Sequence, residues 1–494
     1  MNRLLLTGAL AGIFLLGLAI RLYDLTDPPF DFHTTRQFRA ALIARGMFYA
    51  SWNDASEPDR TIAIELRSRE ALIEPPIFEW LVSRLYLLTG GAWLWIPRAL
   101  SAGFWLLGGA AVFGLARDLT STSGALISLV YFIFLPFGML ASRSFQPDPL
   151  MTTLIAGSAW ALYRWNRSPG WKPAVLAGGL TGLAILTKAV AVFPLGFGAF
   201  FLIAAGQGLK KSTRDPQTWT VAGLALLPVG GWYVNGLFIS GFLRGQDSFR
   251  FFPKYWLDPA FYIRWVETAA GICGFVVLIA GLIGLFLVRD RAGRGLLTGL
   301  WTGYILYSLA FPYHTLTHDY YQLLLIPIAA VSVAPPAALV FDEIGRRPYA
   351  RIAFAAATLL IAGAVLFKVW DTRVILARKD HRPEAAEWAR FNGLLPPEAR
   401  VFALAQAYGY PLAYYGWITA EAWLTGAELD LRELAGLDPE VAKARRFADL
   451  AEADFFIVTH FNEFERQPDL QEYLALHAEV YLEGEGYRIY DLQP

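Results

Sequence analysis

The sequence predicts a mainly α-helical, polytopic membrane protein: about eleven transmembrane helices followed by a small α/β domain outside the cytoplasm. Three observations predict this fold class. Hydrophobic residues make up 55% of the 494 residues and charged residues only 17%, which is too apolar for an ordinary soluble enzyme. Apolar stretches near the roughly 20 residues needed to cross a bilayer recur along the first three quarters of the chain. Charge density then rises sharply after Trp370.

The apolar stretches define eleven candidate spans. The first is predicted to be an uncleaved anchor, because no small-x-small cleavage site follows "LLGLAIRLYDL". The two short stretches that meet at Lys188 would look similar if they formed a hairpin dipping into one leaflet. The candidates are residues 4–22, 97–116, 122–141, 148–163, 173–187, 189–206, 219–240, 266–288, 295–312, 320–341 and 351–369.

The positions of cations in short loops predict the orientation. Loops such as the one holding Arg164, Arg167 and Lys172 are rich in basic residues, which places them and the N-terminus in the cytoplasm. An odd number of spans then puts the C-terminal tail outside, on the same side as a long loop at 23–96. We therefore expect a transmembrane domain at 1–370 and an extracytoplasmic domain at 371–494.

The tail has the pattern of a small α/β domain. "RPEAAEWARFN" predicts a helix with Pro383 near its first turn, and "LDPEVAKARRFADL" and "DLQEYLALHAE" have helical spacing. "ARVFALA" and "ADFFIVT" predict buried strands, and "EVYLEGEGYRIYDL" predicts a hairpin that turns at Gly484 and Gly486.

Composition also excludes some functions. The 42 basic and 42 acidic residues balance, so no global basic field indicates nucleic acid. The single cysteine, Cys273, excludes an intrachain disulfide framework and a multi-cysteine metal site. Glycines spaced four apart, in "GALAG" and "GGLTG", allow close packing between helices.

Chemistry is expected at the outer membrane surface, where polar residues follow or precede spans. A charge within a span costs about 2.5–3.5 kcal/mol on insertion scales, so charges at span ends need a reason. If the bundle is compact, these side chains converge on one interfacial cleft. They are Asp31 in "PPFDFH", Glu74 in "LIEPPIFEW", Arg143 and Asp148 in "ASRSFQPDPL", Lys188 in "LAILTK", and His318 and Asp319 in "THDYYQLLLIP".

The order of these motifs resembles the bacterial glycosyltransferase family 39 group. Its members are GT-C fold enzymes akin to protein mannosyltransferases and to the aminoarabinose transferase of lipid A. The resemblance lies in an acid after span one, a long first external loop, a proline pair before an amphipathic segment, an acid-bearing turn after span three, an "HDYY" opener and an external α/β tail. Relatives often have a lysine before the proline pair, where this chain has Glu74, so a phosphate-gripping role does not transfer to that position.

The resemblance implies transfer of a sugar from a polyprenyl monophosphate to an acceptor hydroxyl outside the cytoplasm, with inversion. It implies that Asp31 is the general base, because the acceptor oxygen loses a proton as it attacks the anomeric carbon. Asp148 would coordinate a metal or orient the acceptor, and Arg143 and Lys188 would stabilise the leaving phosphate.

Glu74, His318 and Asp319 would be further substrate contacts. A divalent metal is left open, with Asp31, Asp148, Glu74 and His318 as candidate ligands. The acceptor is a lipid, a glycan or a protein; a membrane is implied and nucleic acid is not.

Simpler interpretations remain for each residue. Asp31 and Asp148 could cap helices, and Arg143 and Lys188 could extend to lipid headgroups. Three arginines at helical spacing, Arg36, Arg39 and Arg45, would contact headgroups, and Tyr320 and Tyr321 would be interfacial belt residues. Two other function classes stay open: a transporter or flippase of lipid-linked saccharides, and an accessory subunit of envelope glycan assembly.

Overall fold

A computed structural model describes residues 3–244 and 251–493, and most of them are helical. The helices are α1 (Arg3–Leu22), α2 (Thr34–Tyr49), α3 (Glu57–Ser68), α4 (Ile77–Thr89), α5 (Trp95–Leu119), α6 (Thr122–Phe134), α7 (Pro136–Ala141), α8 (Pro147–Arg167), α9 (Trp171–Thr187), α10 (Val192–Gly206), α11 (Leu209–Ser212), α12 (Pro216–Val234), α13 (Pro259–Cys273), α14 (Phe275–Leu287), α15 (Arg291–Ala310), α16 (Pro312–Thr317), α17 (Leu325–Ser332), α18 (Ala334–Gly345), α19 (Ala350–Ala377), α20 (Arg382–Ala389), α21 (Tyr410–Tyr415), α22 (Gly426–Leu434), α23 (Pro439–Leu450), α24 (Phe461–Phe464) and α25 (Pro468–His477). The strands are β1 (Val401–Leu404), β2 (Ala420–Ala422), β3 (Phe455–Val458), β4 (Glu479–Gly484) and β5 (Tyr487–Asp491).

Every predicted span coincides with one or two of these helices, and the chain is a multi-pass membrane protein. Six helical segments of the described chain are long and apolar enough to cross a membrane. A seventh is possible if α13 and α14, which meet at an angle of 94°, form one broken span. The fold class is therefore confirmed, and the count of eleven spans stays a prediction.

The chain forms two compact units. The first unit comprises Met1–Leu25, Leu72–Phe78 and Pro97–Lys379, and the second comprises Thr26–Ala71, Glu79–Ile96 and Asp380–Pro494. The long first loop thus contributes α2, α3 and most of α4 to the unit that holds the C-terminal sheet. α19 continues past Trp370 to Ala377, and the first unit ends at Lys379.

Glycines set the closest helix contacts in the first unit. A Cβ atom added at Gly299 or Gly303 of α15 would lie 2.2 Å from a backbone oxygen of α10, that of Phe197 or Phe193. In "GGLTG", a Cβ at Gly182 would lie 2.1 Å from the Leu224 oxygen of α12, as the predicted close packing requires. In "GALAG" no such contact is made by the described residues, none of which lies within 4 Å of a Cβ at Gly8 or Gly12.

The sheet of the second unit has the order β2-β1-β3-β5-β4. β1 pairs in parallel with β2 and β3, whereas β5 pairs antiparallel with β3 and β4. Alternate residues face opposite sides: Phe402 and Phe456 enter one core, and Val401 and Ile457 enter the other. The predicted strands, hairpin and tail helices are confirmed, while the short β2 lacks a strong sequence signal.

The arginines of α2 belong to the second unit, and one of them is buried there. Arg45 is buried and donates to the backbone oxygens of Tyr414 (2.6 Å) and Ala413 (3.1 Å). Its guanidinium also lies over the Tyr414 ring (4.4 Å) and the Trp417 ring (4.0 Å). Arg39 pairs with Glu70 at 3.4 Å. The headgroup interpretation is therefore wrong for Arg45, because the folded tail covers this face of α2.

Candidate active site

Lys188 lies at a break between two helices. α9 ends at Thr187, Lys188 is extended (φ −156°, ψ 115°), and a 3₁₀ turn at Ala189–Ala191 leads into α10. The side chain of Lys188 is only 5% exposed. A helix break in a membrane segment is tolerated where the irregular backbone is buried in protein, so the break places an ammonium group within the bundle.

Asp148 is the acidic partner of Lys188. It lies in the first turn of α8, after Pro147, where a helix start favours a negative charge. Its Oδ1 atom accepts a 2.7 Å hydrogen bond from Lys188 Nζ, and its side chain is 1% exposed. Its second oxygen, Oδ2, is buried and has no hydrogen-bond partner among the described residues. The structure therefore brings two of the predicted site residues into direct contact.

Two tyrosines complete this site. Lys188 Nζ lies 5.1 Å from the centre of the Tyr320 ring and 4.9 Å from that of Tyr321, within the range of cation–π attraction. Tyr320 is buried, so the belt interpretation of this residue is wrong. We refer to Asp148, Lys188, Tyr320 and Tyr321 as the ammonium cluster.

His318 lies beside the same tyrosines. Its ring centre is 5.5 Å from that of Tyr320 and 5.8 Å from that of Tyr321, and its Nδ1 atom lies 2.7 Å from Thr317 Oγ1. Asp319, the next residue, is exposed. The "HDYY" motif thus places one histidine next to the ammonium cluster and turns its acid toward the surface.

Arg143 is part of a buried group of arginines. Arg143 Nη2 donates to the Asp24 backbone oxygen (3.2 Å), and Arg98 Nε donates to the Arg143 backbone oxygen (3.4 Å). Arg21, at the end of α1, donates to Ser142 Oγ (2.7 Å) and to the Ile133 oxygen (2.8 Å). All three arginines are at most 2% exposed. These bonds fix the turn that leads into α8 and Asp148.

The two remaining acids of the predicted site lie in loops. Glu74 occupies a bend before α4 and is partly exposed. Asp31 is exposed, lies in a bend before α2 and belongs to the second unit. The N-cap position of α2 is occupied by His33, whose side chain makes no capping hydrogen bond.

The candidate metal ligands do not form a metal site. Across residues 3–244 and 251–493, no group of three or more His, Cys, Asp or Glu side chains is arranged to hold a metal ion. Asp148 is instead bonded to an ammonium group, which meets the need of the carboxylate for a positive partner. The residues present therefore do not fit a resident metal, and no chemical step is assigned to one.

Some buried polar residues of this region are absent from the sequence-based prediction. Gln146 occupies the N-cap position of α8 and is fully buried, and neither of its side-chain amide atoms has a hydrogen-bond partner among the described residues. Arg21 and Arg98 were also missed. The signal for Arg21 was its position inside the first apolar stretch, because a charge within a span indicates an internal contact.

Comparison with known proteins places this arrangement in a known fold. Residues 73–233 match the family described as dolichyl-phosphate-mannose-protein mannosyltransferase. No curated protein gives a significant match. ArnT from Cupriavidus metallidurans, solved bound to undecaprenyl phosphate, is similar in structure with a TM-score of 0.60 and 17% identity, over 99% of this chain and 97% of that chain.

The archaeal oligosaccharyltransferase AglB from Archaeoglobus fulgidus is also similar. Its complex with an inhibitory peptide and a dolichol-phosphate gives a TM-score of 0.57 and 11% identity, over 99% of this chain and 74% of that chain. A structure of an Archaeoglobus fulgidus oligosaccharyltransferase with Zn and sulfate gives a TM-score of 0.55 and 13% identity, over 98% of this chain and 73% of that chain. The chain therefore shares the fold of these solved proteins, which is the GT-C fold that the resemblance of its motifs implies.

Proposed function

We propose that this protein is an integral membrane glycosyltransferase that transfers a sugar from a polyprenyl monophosphate to an acceptor hydroxyl on the extracytoplasmic face. The observation that carries the proposal is the fold, which nearly the whole chain shares with a protein solved bound to undecaprenyl phosphate. The buried ammonium cluster supports it, since a cation held inside a membrane domain is suited to a lipid-borne anion.

The proposed reaction is a single displacement with inversion. The acceptor oxygen forms a bond to the anomeric carbon, its proton passes to the Asp31 carboxylate, and the bond from the anomeric carbon to the phosphate oxygen breaks. The polyprenyl monophosphate leaves with the bonding electrons. Asp31 suits this role because it is exposed in a bend and can meet an acceptor from outside.

The cations serve the leaving group in this proposal. Charge grows on the phosphate in the transition state, so fixed positive groups stabilise that state more than the ground state. Lys188 and Arg143 are held by hydrogen bonds to Asp148 Oδ1 and to the Asp24 backbone oxygen. Asp148 orients the acceptor, and Glu74, His318 and Asp319 contact the substrates.

The proposal is tested with the purified full-length protein and a panel of polyprenyl-phosphate sugars. Transfer is read by mass spectrometry of lipid, glycan and peptide acceptors, together with acceptors from cells with and without the protein. We expect one donor to be consumed with formation of a glycosidic bond, and we expect Asp31→Asn to slow this transfer strongly. Movement of the donor across vesicles without bond formation would indicate a flippase and contradict the proposal.

A further inference from the structure

The Lys188 ammonium has binding capacity that its surroundings do not use. A lysine ammonium has three N–H donors. In the described part of the chain it donates one hydrogen bond, to Asp148 Oδ1. Its Nζ atom also lies 5.1 Å from the centre of the Tyr320 ring and 4.9 Å from the centre of the Tyr321 ring. Ring faces attract a cation without cancelling its charge, so a second anion can still approach this group.

Asp148 is equally incomplete. One of its oxygens holds Lys188, while Oδ2 is buried without a partner among residues 3–244 and 251–493. A buried ion pair with a purely structural role needs further hydrogen bonds for the lone pairs and protons that the pair leaves over. Both members of this pair lack them. The site is therefore arranged for groups that arrive from outside the chain.

Lys188 and Asp148 are suited to bind different groups. A phosphate monoester or diester offers acceptors only, so it suits the spare donors of Lys188 and is repelled by the Asp148 carboxylate. A hydroxyl group can donate to the spare Asp148 oxygen. The ammonium of Lys188 lies at the end of a flexible chain of four methylene groups, so it can move between two nearby anions. Its backbone stays in place at the break between α9 and α10.

We propose that the donor phosphate and Asp148 compete for Lys188: when the polyprenyl phosphate binds, the ammonium shifts from Asp148 Oδ1 to a phosphate oxygen while staying over the two tyrosine rings, and the freed carboxylate receives the acceptor hydroxyl. This inference rests on the proposed function and adds an order to it. The lipid phosphate binds first, and the acceptor site of Asp148 is complete only afterwards.

The test is a double-mutant cycle of lipid affinity. Binding of undecaprenyl phosphate is measured for the full-length protein in nanodiscs as wild type, Asp148→Asn, Lys188→Met and the double variant. Exchange predicts that Asp148→Asn binds undecaprenyl phosphate about tenfold more tightly than wild type, since one charge-assisted hydrogen bond no longer has a competitor. In the Lys188→Met background the same change should alter affinity by less than about threefold.

The outcomes separate this inference from the proposed function. If Asp148→Asn binds the lipid no more tightly than wild type, or if it tightens binding equally without Lys188, the exchange is wrong while the proposed function stands. If the wild-type protein binds no undecaprenyl phosphate or other polyprenyl phosphate, both are wrong. Undecaprenol, which has no phosphate, is the matched control ligand and should bind all four proteins equally.

A second measurement uses the wild-type protein and decides the question if Asp148→Asn does not fold. The infrared difference spectrum with and without undecaprenyl phosphate should show a carboxylate stretching band that shifts on binding. The band should change frequency in Asp148→Glu and should not shift with undecaprenol. A spectrum without such a band would overturn the exchange.

Discussion

Lys188 and Asp148, which are 40 residues apart in the chain, form an ion pair of 2.7 Å in which both side chains are at most 5% exposed. Each residue lies at a helix end, one after α9 and the other at the start of α8. Because the two helices pack against each other, the pair reports directly on the correct assembly of the membrane domain.

Breaking this pair on one side should destabilise the protein. Removal of one partner from a buried pair typically costs about 3–5 kcal/mol, because the other charge stays buried and uncompensated. We expect Lys188→Met to lower the thermal unfolding midpoint and Lys188→Met combined with Asp148→Leu to recover much of the loss. Equal midpoints for the single variant and wild type would show that the pair does not stabilise the bundle.

Asp31 should be needed for transfer and not for folding. Its side chain is exposed, so Asp31→Asn should leave the unfolding midpoint nearly unchanged. If it is the general base, kcat should fall about 10²–10⁴-fold. Asp54→Asn, at another exposed acid of the same unit, is the matched control and should retain wild-type kcat. Comparable activity of the two variants would remove Asp31 from the mechanism.

Arg45 should stabilise the second unit. Its guanidinium donates to two backbone oxygens and lies over two aromatic rings, so Arg45→Met should cost about 2–4 kcal/mol of unfolding free energy. Arg45→Lys should not restore it, because an ammonium lacks the planar fork that reaches both carbonyls. Arg390→Met, at an exposed arginine of the same unit, is the control. Full stability of Arg45→Lys would contradict this account.

Glu70, which lies in the second unit, should make the unfolding free energy depend on pH. Burial raises the pKa of the Glu70 carboxyl, although Arg39 and the hydroxyl of Tyr410, which donates to it at 3.0 Å, act in the opposite direction. As pH rises from the ordinary glutamate pKa of about 4.3, the unfolded chain ionises first. The unfolding free energy should therefore fall with rising pH until the folded pKa is passed.

The measurement is the pH dependence of the unfolding midpoint for wild type and Glu70→Gln. As pH rises from about 4.3 to the folded pKa of Glu70, the unfolding midpoint of wild type should fall relative to that of Glu70→Gln. Glu398→Gln, at an exposed acid, should run parallel to wild type. A parallel course for Glu70→Gln would mean that its pKa is not raised.

A methyl group added where α10 and α15 touch should destabilise the protein. Gly299→Ala would place a Cβ 2.2 Å from the Phe197 oxygen, so we expect a loss of about 1–3 kcal/mol from overpacking. Activity should also fall, because α10 follows Lys188. Gly196→Ala, where nothing lies within 4 Å, should be neutral. A stable Gly299→Ala would mean that the helices can separate without cost.

The sequence by itself determined the membrane class, the helical segments, the strands and hairpin of the tail, and the motif order that resembles the GT-C superfamily. These features depend on the length of apolar stretches and on the local periodicity of apolar residues, and both are properties of short segments of the chain. The same reading singled out Asp148 and Lys188, since charges at span ends are rare enough to notice.

Only the tertiary structure decided which of these residues meet. The bond between Lys188 and Asp148, the tyrosine rings over the ammonium and the burial of Arg45 under the tail depend on the packing of distant segments. The contrast between Gly182 and Gly12 has the same cause: both lie in the same spacing pattern, but only Gly182 meets a neighbouring backbone. A spacing pattern defines a face of a helix, whereas the partner of that face is chosen by the fold as a whole.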